Sequence, residues 1–344
     1  MRLLITISHP SHANFFKEAA KILKNEGYNI FISVLDRGRL VQIVNKEYIE
    51  FEKIIAGRHK GSRFSIIFNV NILRFLKLLK FSFSNKINFG LSVGSFTLGA
   101  ALKLLFKPNV QFDDDPERNV NTTLEKMTSD RLYFPPIIKE TKKVKTFNAL
   151  KEWAHLSPKY FTPDEDYLSE FGLESQKYIL LREISTGSLN YMSQEPNIIL
   201  NLMQDIPKNY KVVLSLEDKT TFENYPEDWI ILNEPVADFY SLIYFSKLVI
   251  SSGDSIAREA AMLGVPGIYC GFRKMKANDI LIKKGILFHS EPKNVMSIVN
   301  DIVNGEIMIK KQEEIRNELL NEWDDVTQLI VNIVKSYHEK MHLK

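Results

Sequence analysis

Apolar residues recur along the chain in short, nearly continuous runs that are separated by longer segments of helical spacing. Four of these runs lie at 3–7, 30–35, 178–181 and 248–250. Runs of this kind are typical of strands that are covered on both faces of a parallel sheet. In the segment 14–25 the apolar residues instead return every three or four positions, which predicts an amphipathic helix. The alternation predicts doubly wound α/β sheets.

The same order of strands and helices occurs in both halves of the chain. A chain of 344 residues is long enough for two domains. The segment 154–166 carries the prolines and polar residues of an interdomain connection. We therefore predict a first domain at 1–160, a second at 161–325, and a closing helix at 326–344 that packs on the first domain.

Composition and charge exclude several classes of protein. Hydrophobic residues make up 44% and charged residues 25% of the chain, as in a globular protein. The net charge of +3 provides no field for nucleic acid. Cys270, the only cysteine, follows an apolar run and is interpreted as a core residue. The apolar run at 3–7 is too short for a signal peptide or a membrane span, so we expect a cytoplasmic protein.

The segment 248–269 carries the strongest candidate for a binding site. An apolar strand is followed by a turn at Gly253, Asp254 and Ser255, and then by a short helix that bears Glu259. Helix N-termini at the ends of parallel strands present free N–H groups to anions. Phosphates on this turn and ribose hydroxyls on Glu259 would together accommodate a nucleotide diphosphate, which requires Glu259 to face the ligand. An ordinary strand–helix–strand unit with a capped helix explains the same spacing.

Two further loops of the second half follow strands. Arg182 could neutralise a phosphate, and Ser185 and Thr186 could donate hydrogen bonds to it. Arg273 follows the strand after the Gly253 turn and could reach the same ligand.

In the first half, His9 and His12 follow the first strand. A histidine at the carboxyl end of a parallel strand can act as a base toward a hydroxyl, because its pKa lies near neutrality. Both histidines could instead cap the following helix or face solvent. We interpret His9 in the second way and leave both roles open for His12.

An acidic cluster follows another strand of the first half. Consecutive carboxylates repel one another, so Asp113, Asp114 and Glu117 are candidates for a general base, a ligand of sugar hydroxyls or a metal site. Asp115 precedes Pro116 and is predicted to be a helix N-cap. No His, Cys and carboxylate cluster has metal-ligand spacing, and we expect no metal.

The predicted helix at 66–83 combines basic and apolar residues. Arg74, Lys77 and Lys80 fall on one face at three-residue steps. Such a face could contact an anionic membrane peripherally. A buried helix with a basic outer edge is the simpler interpretation.

Three motifs resemble an uncharacterised epimerase-like family that occurs with surface-polysaccharide biosynthesis proteins. They are ISHPSHANFFK at 7–17, FDDDPE at 112–117 and GDSIAREAAMLGVP at 253–266. The resemblance implies the GT-B fold of UDP-N-acetylglucosamine 2-epimerase and UDP-sugar glycosyltransferases, with two Rossmann-like domains that face a cleft. It also implies that Glu259 holds the ribose of UDP and that the 253–255 turn holds the diphosphate.

The chain departs from the epimerase pattern at three places. The epimerase turn is usually Ser-Gly-Gly where this chain has Gly253, Asp254 and Ser255, and Asp254 adds a negative charge beside a diphosphate. The epimerase aspartate and histidine are replaced by the loops at 94–95 and 182–185. These losses favour a glycosyltransferase with a UDP-sugar donor, a sugar or lipid-linked acceptor and no obligatory cofactor. A 2-epimerase and a non-catalytic sugar-nucleotide-binding protein at the membrane are the alternatives.

Overall fold

The computed structural model describes residues 1–59, 66–185, 191, 194–233, 235–307 and 310–343. Its contacts divide the chain into two compact units. Unit 1 comprises Met1–Tyr160 and Trp323–Lys344, and unit 2 comprises Phe161–Glu322. The chain therefore leaves unit 1 once and returns to it for its last segment.

Unit 1 contains a parallel sheet of seven strands in the order β3-β2-β1-β4-β5-β6-β7. The strands are β1 (Arg2–Ile7), β2 (Asn29–Asp36), β3 (Glu52–Arg58), β4 (Phe89–Val93), β5 (Asn109–Phe112), β6 (Arg131–Phe134) and β7 (Val144–Thr146). The chain winds outward in one direction from β1 and in the other from β4. The boundary between β1 and β4 is thus the point where open sheets of this kind bind ligands.

The helices of unit 1 cover both faces of this sheet. They are α1 (Pro10–Asn25), α2 (Leu40–Glu47), a π-helix (Ile66–Leu73), α3 (Arg74–Ser84), α4 (Phe96–Leu104), α5 (Asn119–Thr128), α6 (Trp153–Leu156) and, at the end of the chain, α13 (Val326–His342). Helix α13 packs against α1 and α6. Its residues Ile330, Val331 and Val334 are fully buried, so the last helix completes the core of unit 1.

Unit 2 contains a parallel sheet of six strands in the order β10-β9-β8-β11-β12-β13. The strands are β8 (Tyr178–Glu183), β9 (Lys211–Leu216), β10 (Ile230–Ile231), β11 (Val249–Ser251), β12 (Gly267–Tyr269) and β13 (Leu287–His289). The strand order reverses between β8 and β11, which again marks a ligand-binding edge.

The α-helices of unit 2 are α7 (Ile198–Leu202), α8 (Phe239–Tyr244), α9 (Asp254–Met262), α10 (Lys276–Lys283), α11 (Pro292–Val303) and α12 (Gln312–Glu322), with 3₁₀ turns at Asp166–Phe171, Met203–Asp205 and Lys219–Asn224. Helix α9 packs directly on β12. A Cβ at Gly267 would lie 2.2 Å from the carbonyl oxygen of Ala257, so only glycine permits this approach.

The predicted doubly wound parallel sheets are confirmed, and several local predictions are corrected. Helix α1 begins at Pro10, within the stretch that was expected to be a loop. Helix α2 and strand β7 were not predicted. Among the described residues, no helix is both long and apolar enough to cross a bilayer.

Candidate functional site

In unit 2, the predicted turn lies between β11 and α9 at the carboxyl edge of the sheet. Gly253 is the N-cap of α9, and no side chain caps the helix there. The Ser251 hydroxyl donates to the Gly253 carbonyl at 2.6 Å and accepts from the Gly253 amide at 3.1 Å. The turn is therefore fixed from within by Ser251, while the first turn of α9 keeps the uncapped amides that an anion can use.

Close packing explains the glycine in this turn. A Cβ at Gly253 would lie 2.6 Å from Cγ2 of Ile184. On the other side, the Gln194 side-chain amide donates to the Ser252 carbonyl at 2.9 Å, and its oxygen accepts from the Phe272 amide at 3.3 Å. The loops that follow β8, β11 and β12 are thereby joined into one edge.

The charge of Asp254 is neutralised inside the unit. Asp254 Oδ2 lies 2.8 Å from the Arg258 guanidinium, and the side chains of both residues are buried. The Tyr191 hydroxyl donates to Asp254 Oδ1. Arg258 is held in turn by Asn278 Oδ1 at 3.1 Å. Arg258 was not among the predicted site residues. Its positive charge neutralises Asp254, so Asp254 no longer conflicts with a diphosphate bound at this turn.

The side chain of Glu259 is buried in unit 2. It is 3% exposed, and the Tyr240 hydroxyl donates to its Oε1 at 3.2 Å. The carboxylate is therefore covered by the protein and already accepts one hydrogen bond. A ribose that used Glu259 would have to share the carboxylate with Tyr240 or take the place of its hydroxyl.

The other predicted residues of unit 2 lie around the same edge. Arg182, at the end of β8, donates to the Ser215 hydroxyl at 2.5 Å. The Ser185 amide donates to Glu217 at 2.8 Å. The Arg273 amide donates to the Tyr269 hydroxyl at 3.0 Å, and Ser255 is half-buried in the first turn of α9. Thr186 lies outside the described residues.

In unit 1, His12 occupies the first turn of α1 at the carboxyl end of β1. His9 is the N-cap of this helix, and its ring accepts from the Ser11 amide at 3.3 Å, as the capping interpretation expected. His12 is half-buried, with Nδ1 3.4 Å from the Ser8 hydroxyl. Burial lowers the pKa of His12 well below its ordinary value, and the positive charges of His9, Lys151 and Arg74 act in the same direction. His12 is therefore neutral at pH 7 and has a lone pair available.

Asp114 forms a buried ion pair that the sequence did not reveal, and its charge acts on His12. Lys151 Nζ lies 2.6 Å from Asp114 Oδ2, and both side chains are almost fully buried. The charge of Asp114 opposes the decrease in the pKa of His12. An ion pair thus joins Asp114, which follows β5, to Lys151, which precedes α6. Both charges act on His12 at the end of β1.

Asp113 forms a buried carboxyl pair with Glu125 of α5, which the sequence argument also missed. Burial, and then the charge of Asp114, raise the pKa of Asp113 to about 6. Burial, and then the charge of Asp113, raise the pKa of Glu125 to about 10. Asp113 Oδ1 accepts from the amides of Asp114 and Asp115 at 2.8 and 3.1 Å. A proton on Glu125 that is donated to Asp113 satisfies the remaining oxygens of the pair.

The other acidic residues of the cluster do not join this pair. Asp115 is buried but does not cap a helix, because α5 begins at Asn119 with Arg118 as its N-cap. That prediction is wrong: Pro116 belongs to a turn three residues before the helix. Glu117 is exposed on the same turn. Within the part of the chain that the structure describes, no three His, Cys, Asp or Glu residues are placed to hold a metal ion.

The structure also corrects the basic face at 74–80. Lys77 and Lys80 are exposed, but Arg74 is 2% exposed and lies within the electrostatic range of His12. Arg74 therefore does not belong to the exposed face of α3, and its charge acts on His12 at the end of β1.

Comparison with known proteins relates the whole chain to one family. The family described as "Protein of unknown function (DUF354)" matches residues 1–339. The uncharacterised protein MJ0665 of Methanocaldococcus jannaschii is 23% identical over 314 residues, which cover 86% of this chain and 90% of that protein.

Solved structures show the fold. The S. aureus MnaA–UDP co-structure has a TM-score of 0.74 at 16% identity and covers 98% of this chain and 97% of that chain. The glycosyltransferase SnogD from Streptomyces nogalater has a TM-score of 0.67 at 14% identity, with 98% and 99% covered. The UDP-GlcNAc 2-epimerase from Neisseria meningitidis, bound to UDP-GlcNAc, has a TM-score of 0.62 at 14% identity, with 99% and 100% covered. The predicted GT-B fold, with two parallel-sheet α/β domains, is confirmed.

Proposed function

We propose that this chain, which belongs to the DUF354 family, is a glycosyltransferase-like enzyme that uses a UDP-sugar donor and acts in the cytoplasm in surface-polysaccharide biosynthesis. Its fold is shared by glycosyltransferases and by UDP-GlcNAc 2-epimerases. Both kinds of enzyme support a function related to nucleotide sugars for this chain. Transfer to an acceptor hydroxyl is the more specific proposal.

The observation that carries the proposal is the uncapped N-terminus of α9 at the edge where the strand order of unit 2 reverses. Its amides would bind the diphosphate, with Arg182 and Arg273 to balance the charge. Glu259, already an acceptor for the Tyr240 hydroxyl, would accept from the ribose. As the bond to the sugar breaks, negative charge develops on the departing UDP, and the same donors would stabilise it without a metal ion.

His12 is the residue of unit 1 best suited to activate the acceptor. It is neutral at pH 7 and half-buried at a ligand-binding edge, whereas Asp113 is engaged with Glu125 and Asp114 with Lys151. We assign His12 as the base that takes the proton of the acceptor hydroxyl. Asp114 would favour the imidazolium that forms, because its charge raises the pKa of His12.

The test separates binding from transfer. UDP binding is measured by calorimetry, and UDP release from UDP-sugars is measured with and without sugar or lipid-linked acceptors. Glu259→Gln should weaken UDP binding about 10- to 100-fold, because charge-assisted hydrogen bonds to the ribose are lost. Glu291→Gln, on the surface of the same unit, is the matched control.

His12→Gln should bind UDP as the wild type does and release UDP from the donor at least 100-fold more slowly. Absence of UDP binding by the wild type would rule out the proposal. UDP binding without turnover for any donor and acceptor would instead favour the non-catalytic nucleotide-binding protein.

A 2-epimerase is the second candidate, because UDP-GlcNAc 2-epimerases share the fold over nearly the whole chain. NMR of UDP-N-acetylglucosamine in deuterated buffer distinguishes the two. Exchange of the proton at C2 would support the epimerase, and its absence together with acceptor-dependent UDP release would support the transferase.

A further inference from the structure

The guanidinium of Arg74 is a buried positive charge with an open hydrogen-bonding edge. The side chain is 2% exposed at the start of α3. Its Nε and Nη2 atoms are buried, and no group in the described part of the chain accepts a hydrogen bond from either. These two nitrogens form one edge of the guanidinium plane, which is the edge that binds a carboxylate or a phosphate with two parallel hydrogen bonds.

A buried guanidinium without an acceptor is unfavourable, because its lost hydration is not replaced. Burial lowers the pKa of Arg74 to about 10, so the group still carries its charge at neutral pH. The segment 60–65, which lies outside the described residues, contains no Asp or Glu in its sequence. The missing acceptor is therefore best supplied by a ligand.

The position of Arg74 indicates which ligand this is. Its charge lowers the pKa of His12, so the guanidinium lies within electrostatic reach of the carboxyl end of β1. Among the described residues whose positive charge acts on His12, Lys151 is paired with Asp114, whereas Arg74 has no acceptor at Nε or Nη2. The π-helix Ile66–Leu73 ends directly before Arg74, and π-helical turns are frequent at functional sites.

We propose that Arg74 binds an anionic group of the acceptor, a phosphate or a carboxylate, and thereby holds the acceptor hydroxyl against His12. This inference rests on the proposed glycosyl transfer and specifies its acceptor class as anionic. The Nε and Nη2 atoms would bind the oxyanion side-on, which fixes orientation as well as position. A bilayer surface is not the partner of Arg74, because a side chain that is 2% exposed cannot reach one.

The experiment measures the thermal unfolding of the full chain in a chloride buffer of constant ionic strength. Phosphate and acetate are added separately, and their effects on the wild type are compared with those on Arg74→Met. An anion that binds only the folded state raises the melting temperature. We expect one of the two to raise that of the wild type by about 3 °C or more beyond its effect on Arg74→Met, because phosphate can also bind the α9 amides of unit 2 in both proteins.

Two further variants sharpen the test. Lys77→Met, exposed on the next turn of α3, should respond as the wild type does. Arg74→Lys should respond weakly, since an ammonium cannot form the two parallel bonds. A preference for phosphate identifies a phosphorylated acceptor, and a preference for acetate a carboxylated one. If neither anion stabilises the wild type, or if both stabilise Arg74→Met equally well, the site is excluded.

Calorimetry with UDP separates this inference from the proposed function. Arg74→Met should bind UDP within twofold of the wild type. A tenfold or greater loss of UDP affinity would assign Arg74 to the donor diphosphate and overturn the acceptor assignment. If the wild type binds no UDP while phosphate or acetate still acts through Arg74, the transferase fails and the anion site remains.

Discussion

Burial sets the protonation states of the two titratable groups that matter most in unit 1. It lowers the pKa of His12 and raises that of Glu125 to about 10, because in each case the charged form has lost its hydration. His12 is thereby a neutral base, and Glu125 is a neutral acid that donates to Asp113. The same cause shifts the two pKa values in opposite directions, because one group is cationic and the other anionic when ionised.

The Asp113–Glu125 pair predicts a specific pH dependence of stability. The pKa of Glu125 rises from 4.5 to about 10 on folding, so its contribution is fully present below about pH 4.5 and is lost as the pH rises toward 10. Between pH 6 and 9 the wild type should lose stability relative to Glu125→Gln, by at most about 1.4 kcal/mol per pH unit. The glutamine can still accept from Asn121 and donate to Asp113.

This difference is measured as the melting temperature of each protein at pH 6, 7.5 and 9. Glu52→Gln removes an exposed carboxylate of the same unit and should run parallel to the wild type. Parallel curves for wild type and Glu125→Gln would show that Glu125 is ionised in the fold and that the pair does not hold a proton.

The sequence revealed the site residues that follow strands, and it missed those that reach the site from elsewhere. His12, Asp113 and Asp114 follow β1 and β5, where a strand-end rule finds them. Lys151 lies 37 residues after Asp114, and no local sequence pattern predicts an ion pair between residues that far apart. Arg74 sits at a basic three-residue spacing that is typical of an exposed face, and only the fold shows that it points inward.

The helices and strands that the sequence did not predict, or predicted with a different start, lack the sequence signals on which prediction depends. Helix α2 begins after Arg39, whose side chain forms no cap, and β7 is a three-residue edge strand that directly follows two lysines. Helix α1 begins with Pro10 and is capped by His9, an unusual capping residue, so its first turn resembled a loop. The long buried strands were predicted because continuous apolar runs do not depend on caps.

Helix α3 keeps a basic and apolar outer face even without Arg74. Lys77 and Lys80 are exposed, and Leu76 and Phe83 are 51% and 74% exposed beside them. We predict that this face binds anionic vesicles in a sedimentation assay. Each lysine contributes about 1 kcal/mol near an anionic surface, so the double variant Lys77→Gln/Lys80→Gln should bind about thirtyfold more weakly.

The matched control for this surface is Lys139→Gln/Lys142→Gln, which removes the same charge from an exposed segment elsewhere in unit 1. It should sediment with the vesicles as the wild type does. Equal binding of the wild type to neutral and anionic vesicles would exclude membrane docking through α3.

At the scale of the whole molecule, the fold limits the set of reactions that the protein could catalyse but does not identify one of them. Glycosyltransferases and 2-epimerases share the two-unit architecture, and fold alone does not imply function. The distinction depends on which side chains stand at the two strand edges. For this reason the departures from the epimerase pattern that the resemblance implies at 94–95 and 182–185, and the roles proposed for His12 and Arg74, bear more on the reaction than the TM-scores do.

Because the chain returns to unit 1 for residues 323–344, we can predict which unit needs this last segment for its stability. Trp323 packs edge-on against Trp153 at 5.4 Å, and the Thr327 hydroxyl donates to the Ala154 carbonyl at 2.7 Å. Removal of 323–344 would also expose the apolar surface that Ile330, Val331 and Val334 cover. Three such side chains contribute about 5–9 kcal/mol, which is comparable to the whole stability of a domain.

Truncation after Glu322 should therefore unfold unit 1 and leave unit 2 folded, since Phe161–Glu322 is continuous and has its own core. Hydrogen exchange read by mass spectrometry should show protection lost in β1, β4 and β5 but retained in β8 and β11. Calorimetry should show UDP binding retained, because every residue proposed to bind the nucleotide lies in unit 2. Removal of only Leu343 and Lys344 controls for a shortened terminus. Loss of protection in both units at once would mean that unit 2 depends on unit 1 for its stability, and UDP could then not be assigned to unit 2 by this route.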